Sequence, residues 1–190
     1  IDVLGGIERI TGKQPIFEKI DLREKAAVQA FFTKYTEVTG VIHFAASKAV
    51  GESVQNPLLY YENNIASLVY LLQELQKKPE AHFIFSSSCT VYGQAEVMPI
   101  AETTPIQAAM SPYGNTKQIG EEIIADVTKV SGLNAILLRY FNPIGAHPST
   151  EIGELPIGVP QNLVPFITQT GMGLRKELSV YGNDYPTVDG

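Results

Sequence analysis

Apolar residues recur along this chain in two patterns. Short continuous runs stand at Val41–Ala46 (VIHFAA), His82–Phe85 (HFIF) and Asn134–Tyr140 (NAILLRY). None alternates apolar with polar, so each reads as a strand of a parallel sheet, buried on both faces. Pro15–Leu22 (PIFEKIDL) reads as a further short strand ending at Asp21. Between these runs the apolar period lengthens to that of a helix. Arg23–Tyr35 puts Ala26, Ala27, Val28, Ala30, Phe31 and Phe32 on a helix face, and Leu58–Gln76 is the longest helical pattern. Tyr113–Val130 repeats Ile119, Ile123, Ile124, Val127 and Val130 near helical spacing. Residues 1–14 read as the end of a helix, Gln161–Thr170 as a helix and Leu178–Tyr181 as a short strand. SKAVGES (47–53), Gly93–Met110 and the Gly- and Pro-rich residues 145–161 read as loops.

Strand and helix thus alternate four times. That order predicts an α/β fold with a doubly wound parallel sheet. Ligands of such sheets bind outside the carboxyl ends of the strands. Asp21, Ser47–Lys48, Ser86–Ser88 and Phe141–Asn142 all fall at those ends.

Composition narrows the class. The chain has 190 residues, 44% of them hydrophobic and 18% charged, with a formal charge of −6. Its Lys and Arg do not cluster, which argues against nucleic acid as a partner. No apolar run approaches the ~20 residues of a membrane span. Cys89 is the only cysteine, so no intrachain disulfide forms, in keeping with a reducing cytoplasm. The first residues, IDVLGGIERITG, lack an initiator Met and a signal-peptide pattern, and VYGNDYPTVDG stops without a closing element. A fragment is expected.

Candidate chemistry centres on residues 81–117. The strand at His82 runs into Ser86, Ser87 and Ser88, and Tyr113 and Lys117 follow four residues apart. On a helix that spacing stacks both side chains on one face. A phenol of pKa ~10 needs about 4 kcal/mol of stabilisation to ionise near neutral pH. One ammonium at ~4 Å supplies about that at an effective dielectric of about 20. A serine hydroxyl beside the phenol can share the proton of a reacting alcohol, and Ser88, the furthest out, is best placed to reach substrate. The alternative is turn-forming serines and an incidental Tyr and Lys on an amphipathic helix. Lys48 in its Gly-containing loop reads equally as a phosphate contact or a solvated side chain. Asn63 and Asn64 sit in a helical pattern where propensity does not ask for them, and a buried Asn63 would need a partner such as a ligand. Cys89 lacks an activating base, since His43 and His82 lie in strands, and reads as a small buried residue. No metal site is read. No GxGxxG follows a strand, so either the chain binds no dinucleotide or its first βαβ unit lies outside it.

Together FSSSCTVYG, SPYGNTK, LLRYFNPIGAHPS, VYGNDYPTVDG and HFAASKAVGESVQNPLLYYENN resemble the UDP-glucose 4-epimerase (UDP-galactose 4-epimerase) family of extended short-chain dehydrogenases/reductases. The resemblance implies a Rossmann-type NAD domain, here residues 1–144 without its N-terminal βαβ unit, and the start of a UDP-sugar domain at 145–190. It implies reversible epimerisation of UDP-galactose and UDP-glucose at C4 through a 4-keto sugar, with tightly held NAD, in galactose metabolism. By that resemblance Tyr113 takes the proton of the sugar 4-hydroxyl, Lys117 holds the cofactor ribose and lowers the phenol pKa, and Ser88 bonds the reacting oxygen with Thr90 nearby. Asp21 and Leu22 match the pair beside the adenine, and Phe44, Lys48, Asn63, Ser86 and Tyr140 match further cofactor contacts. Asn142, Asn162 and Leu163 match UDP-sugar contacts, and Ser179, Val180 and Tyr181 the uridine side. A cytoplasmic homodimer is the assembly it implies. The rivals are another NAD-dependent nucleotide-sugar epimerase, a 4,6-dehydratase and a non-catalytic module of the same fold. Dehydratases of this superfamily typically carry Asp–Glu where this chain has Cys89–Thr90, and non-catalytic relatives usually lose the Tyr or the Lys.

Overall fold

The structure is a computed structural model and describes residues 2–78, 80–154, 158–160 and 162–188. The chain forms two compact units, Glu18–Phe141 and a second made of Ile1–Phe17 with Asn142–Gly190.

The larger unit is built on three parallel strands, β1 (Gly40–His43), β2 (His82–Ser86) and β3 (Asn134–Leu138), in the order β1-β2-β3. Helices occupy every crossover, as parallel pairing demands. The chain enters through α2 (Lys25–Lys34). Between β1 and β2 run α3 (Val50–Gln55), α4 (Pro57–Tyr61), a π-helical turn (Glu62–Ala66) and α5 (Ser67–Leu75). A 3₁₀ turn (Cys89–Tyr92) and α6 (Pro112–Val130) connect β2 to β3. Ser111 caps α6, its hydroxyl accepting from Gly114 N at 3.1 Å, and Pro112 opens the first turn, where no N–H is needed.

The core lies on one face of the sheet. Phe83 and Phe85 of β2 pack against Val28 and Phe32 of α2, Leu68, Leu71, Leu72 and Leu75 of α5, and Ile124 of α6. Gly120 lets α6 press onto this face, because a Cβ there would stand 2.8 Å from the Phe85 ring. On the other face Ile42, Ile84 and Ile136 form one row across the three strands. Ile42 and Ile136 are 60% and 57% exposed, so the burial on both faces expected from the apolar runs is met on one face only.

Other expectations change as well. Pro15–Leu22 is not a strand: it pairs with no strand among the described residues, and an extended segment without a ladder is not a strand. β1 ends at His43 rather than Ala46, and half of the loop expected at 47–53 is α3. Leu178–Tyr181 is irregular. The remaining helices are α1 (Val3–Thr11), capped by Asp2, and α7 (Leu163–Gly171). Arg9 of α1 pairs with Glu151 at 2.7 Å, and Gly6 sits against Ile152. These contacts are why the first 17 residues group with the C-terminal residues instead of with the sheet.

His43 carries a testable consequence of this core. It is 4% exposed and stacks on Phe83 and Phe85 at 6.0 and 6.1 Å. Burial, helped by the charge of Lys117, holds its imidazole down at about 4. The unfolded chain then takes up the proton first as pH falls from about 6.5. Stability that is fully present above that value should decline as pH approaches 4, by on the order of 3 kcal/mol. Denaturant unfolding from pH 7 to 4 in the full-length chain reads this loss. An identical slope in His43→Phe would refute it.

Candidate active site

The carboxyl end of β2 is where the chemistry-bearing side chains converge. Tyr113 and Lys117 share the face of α6 that looks toward β2, with Lys117 Nζ 5.7 Å from the Tyr113 ring centre and 5.0 Å from that of Phe85. Lys117 is 3% exposed and donates to the Ser86 carbonyl at 2.7 Å. Burial brings its ammonium down to about 8. Burial also raises the Tyr113 phenol, with the Cys89 thiol pushing the same way and a hydrogen bond with Ser88 opposing. By its spacing Lys117 is expected to lower the phenol. Here the ammonium is turned to the Ser86 carbonyl, and the phenol stays above its ordinary value.

Ser88 is buried, and its hydroxyl accepts from Thr90 N at 3.2 Å, which starts the 3₁₀ turn. Thr90 Oγ1 is buried with no hydrogen-bond partner, alone in this among the side chains of the described residues. A buried hydroxyl without a partner is costly, and a ligand group would satisfy it. Cys89 is half-buried with its thiol raised by that burial, which fits an inert residue.

A second focus lies beyond the end of β1. A cavity of about 600 Å³ is lined by Asp21, Leu22, Arg23, Ala46, Ser47 and Asn63, among others. Three of the expected cofactor contacts, Asp21, Leu22 and Asn63, therefore share one concavity. Arg23 holds Asp21 at 2.6 Å, and this contact brings the Asp21 carboxyl down to about 2. Arg23 Nη1 also donates to Asn63 Oδ1 at 3.3 Å.

The π-helical turn links the two foci. Its extra residue per turn re-aims adjacent side chains, and such turns recur at functional sites. Asn63 donates to Ser47 Oγ at 2.8 Å, beside the cavity. Asn64 accepts from Ser47 N at 2.8 Å and donates to Ser47 O and to Thr116 Oγ1, both at 3.0 Å. Thr116 in turn donates to the Tyr113 carbonyl at 2.7 Å. One asparagine faces the cavity and the next braces the Tyr–Lys helix. Tyr60, fully buried, grips both Ala49 N and Ala49 O and so fixes the loop that carries Lys48.

Other expected residues are placed more loosely. Lys48 is exposed. Phe44 is exposed and stacks on Tyr140, ring centres 6.5 Å apart. Asn142, Asn162, Leu163 and Ser179–Tyr181 belong to the other unit, where Asn162 is the N-cap residue of α7 and Val180 and Tyr181 are 83% and 88% exposed. Sequence reasoning missed Arg23, Thr116, Glu121 and Arg139. Two of these had a signal: Glu121 follows Lys117 by one turn on the same face, and Arg139 is a charge in an apolar strand run that needs a partner.

The family profile described as GDP-mannose 4,6 dehydratase matches residues 4–190. The chain belongs to this family. It is a family of extended short-chain dehydrogenases/reductases, and within it the chain is similar to UDP-glucose 4-epimerases. The Schizosaccharomyces pombe UDP-glucose 4-epimerase is 49% identical over 100% of this chain and 54% of its own length. That of Bacillus subtilis is 47% identical over 100% of this chain and 56% of its own. Among solved structures, a Stenotrophomonas maltophila UDP-glucose 4-epimerase with bound NAD and formylated UDP-arabinopyranose superposes with a TM-score of 0.91 at 45% identity, over 98% of this chain and 55% of that one. The Bifidobacterium longum enzyme in complex with NAD+ and UDP gives 0.90 at 44% identity, over 98% and 56%. The chain thus spans about half the length of these relatives. The parallel three-stranded sheet is the Rossmann-type α/β fold of this family.

Proposed function

We propose that the full-length protein interconverts UDP-galactose and UDP-glucose at C4 through a 4-keto sugar, using NAD. The observation that carries this reading is the convergence of Ser88, Tyr113 and Lys117 at the carboxyl end of β2. The donor set suits the cofactor. Asp21 and Asn63 offer acceptors and an amide around a cavity of about 600 Å³, a volume ordinary for a cofactor site. Lys117 has three donors and gives one to Ser86 O. NAD, when bound, would accept a hydride from C4 and give it back to the other face of the 4-keto carbon. The chain's own residues do the rest. Tyr113 takes and returns the proton of the 4-hydroxyl. Ser88 holds the reacting oxygen against the phenol. Lys117 holds the ribose. Thr90 Oγ1 gives its unused hydrogen bond to the sugar.

A dehydratase is the second reading, favoured by the family description. Water loss needs an acid and a base beside the Tyr–Lys pair, and Cys89–Thr90 supplies neither. The test is to give the full-length protein UDP-galactose with no added reductant. UDP-glucose is the expected product. A 4-keto-6-deoxy sugar would establish the dehydratase, and no turnover would overturn both. A homodimer in the cytoplasm completes the proposal, and sedimentation of the full-length protein checks the dimer.

A further inference from the structure

Beneath the catalytic face lies a polar network that the proposed chemistry does not use. Glu121, one turn after Lys117 on α6, is 5% exposed. Arg139, just past β3, meets it through two parallel hydrogen bonds, Nε to Oε1 at 3.0 Å and Nη2 to Oε2 at 2.7 Å. The remaining nitrogen, Nη1, donates to Tyr92 OH at 3.1 Å and the Glu102 carbonyl at 3.4 Å, and the guanidinium lies 5.0 Å from the centre of the Tyr92 ring. Ser87 closes the network: its hydroxyl, on a residue 2% exposed, donates to Glu121 Oε1. These are the strong, geometry-defining hydrogen bonds of the protein interior.

Where the network is anchored matters more than its strength. Ser87 stands between Ser86, whose carbonyl holds Lys117, and Ser88, whose hydroxyl meets Tyr113. β2 has already ended at Ser86, and past it the backbone is held only locally, Ser87 N donating to Phe85 O at 2.9 Å and Cys89 N to Tyr140 O at 2.7 Å. The Ser87 side chain adds a tie from this segment to α6, between the two flanking serines. A buried ion pair is a weak source of stability, because desolvation offsets most of the attraction. Its effect on geometry is not offset in that way.

We propose that Glu121 and Arg139, acting through Ser87, are positioning residues for the active site. They set the Ser86–Ser88 peptide so that Lys117 and Tyr113 are held at one geometry. This rests on the proposed epimerase reading. Ser87→Ala tests it with little risk to the fold, since the ion pair stays intact. In the full-length protein, kcat counted per equivalent of bound NAD should fall about 10- to 100-fold, with KM for UDP-galactose little changed. Amide hydrogen exchange of the 86–92 segment should quicken in the same variant while that of α5 does not. In a double-mutant cycle, Ser87→Ala on top of Glu121→Gln should cost no further kcat. Wild-type kcat per NAD in Ser87→Ala, or additive losses in the cycle, would overturn the positioning role alone. No conversion by the wild-type protein would overturn the epimerase reading and this proposal with it.

Discussion

Tyr113→Phe should lower the rate of UDP-galactose conversion by about 10²- to 10⁴-fold, the range spanned by a lost acid–base group, with NAD still bound. The substitution removes one oxygen. The ring, half-buried near the start of α6, keeps its packing, and the helix keeps its Ser111 cap and Pro112. The Ser88 hydroxyl loses the phenol but keeps its contact with Thr90 N. Burial holds the Tyr113 phenol above its ordinary value, so the ligand-free protein carries it protonated at neutral pH. The fraction ionised, and with it the rate of proton removal, should rise with pH across the neutral range. The variant's residual rate should lack that rise. Product formation with bound NAD quantified separates a chemical defect from a binding one. Full activity in Tyr113→Phe would remove the phenol from the mechanism.

The residues that make this prediction possible were legible to different degrees. The Tyr–Lys pair was readable because helix geometry alone puts residues four apart on one face, and Gly120 then allows that face to approach β2. The serine cluster was readable because a parallel strand must end in a loop at the ligand rim. Apolar runs located β1, β2 and β3 but overstated their burial: continuity says that both faces are apolar, not that both are covered in this chain. Pro15–Leu22 shows the same limit, since strand character depends on a neighbour that local sequence does not contain. Asn63 and Asn64 were visible as misfits in a helix, yet only the π-helical turn explains why they face different partners. The direction of the Lys117 effect was not legible. It depends on which acceptor the ammonium chooses, and that choice is made by the Ser86 carbonyl at 2.7 Å.

Lys117→Met should abolish most turnover while erasing a pH dependence of stability, two effects that a single structural role would not produce together. Turnover should fall about 100-fold or more, because the cation that orients the ribose is lost. Stability follows from burial. The ammonium is brought down to about 8 in the folded chain from an ordinary 10.5. Between those values the unfolded chain binds more protons, so stability must rise with pH through this window. The gain is on the order of 3 kcal/mol, complete near pH 10.5 and absent below about pH 8. Methionine has no proton to lose, so Lys117→Met should show no such rise. At pH 7 its stability should be close to wild type, because the lost desolvation penalty is offset by a Ser86 carbonyl left without its donor. Denaturant unfolding of both full-length proteins from pH 7 to 10.5, beside turnover per bound NAD, reads both effects. A parallel rise in the two proteins would mean that Lys117 is not the buried charge that the fold tolerates for the sake of its site.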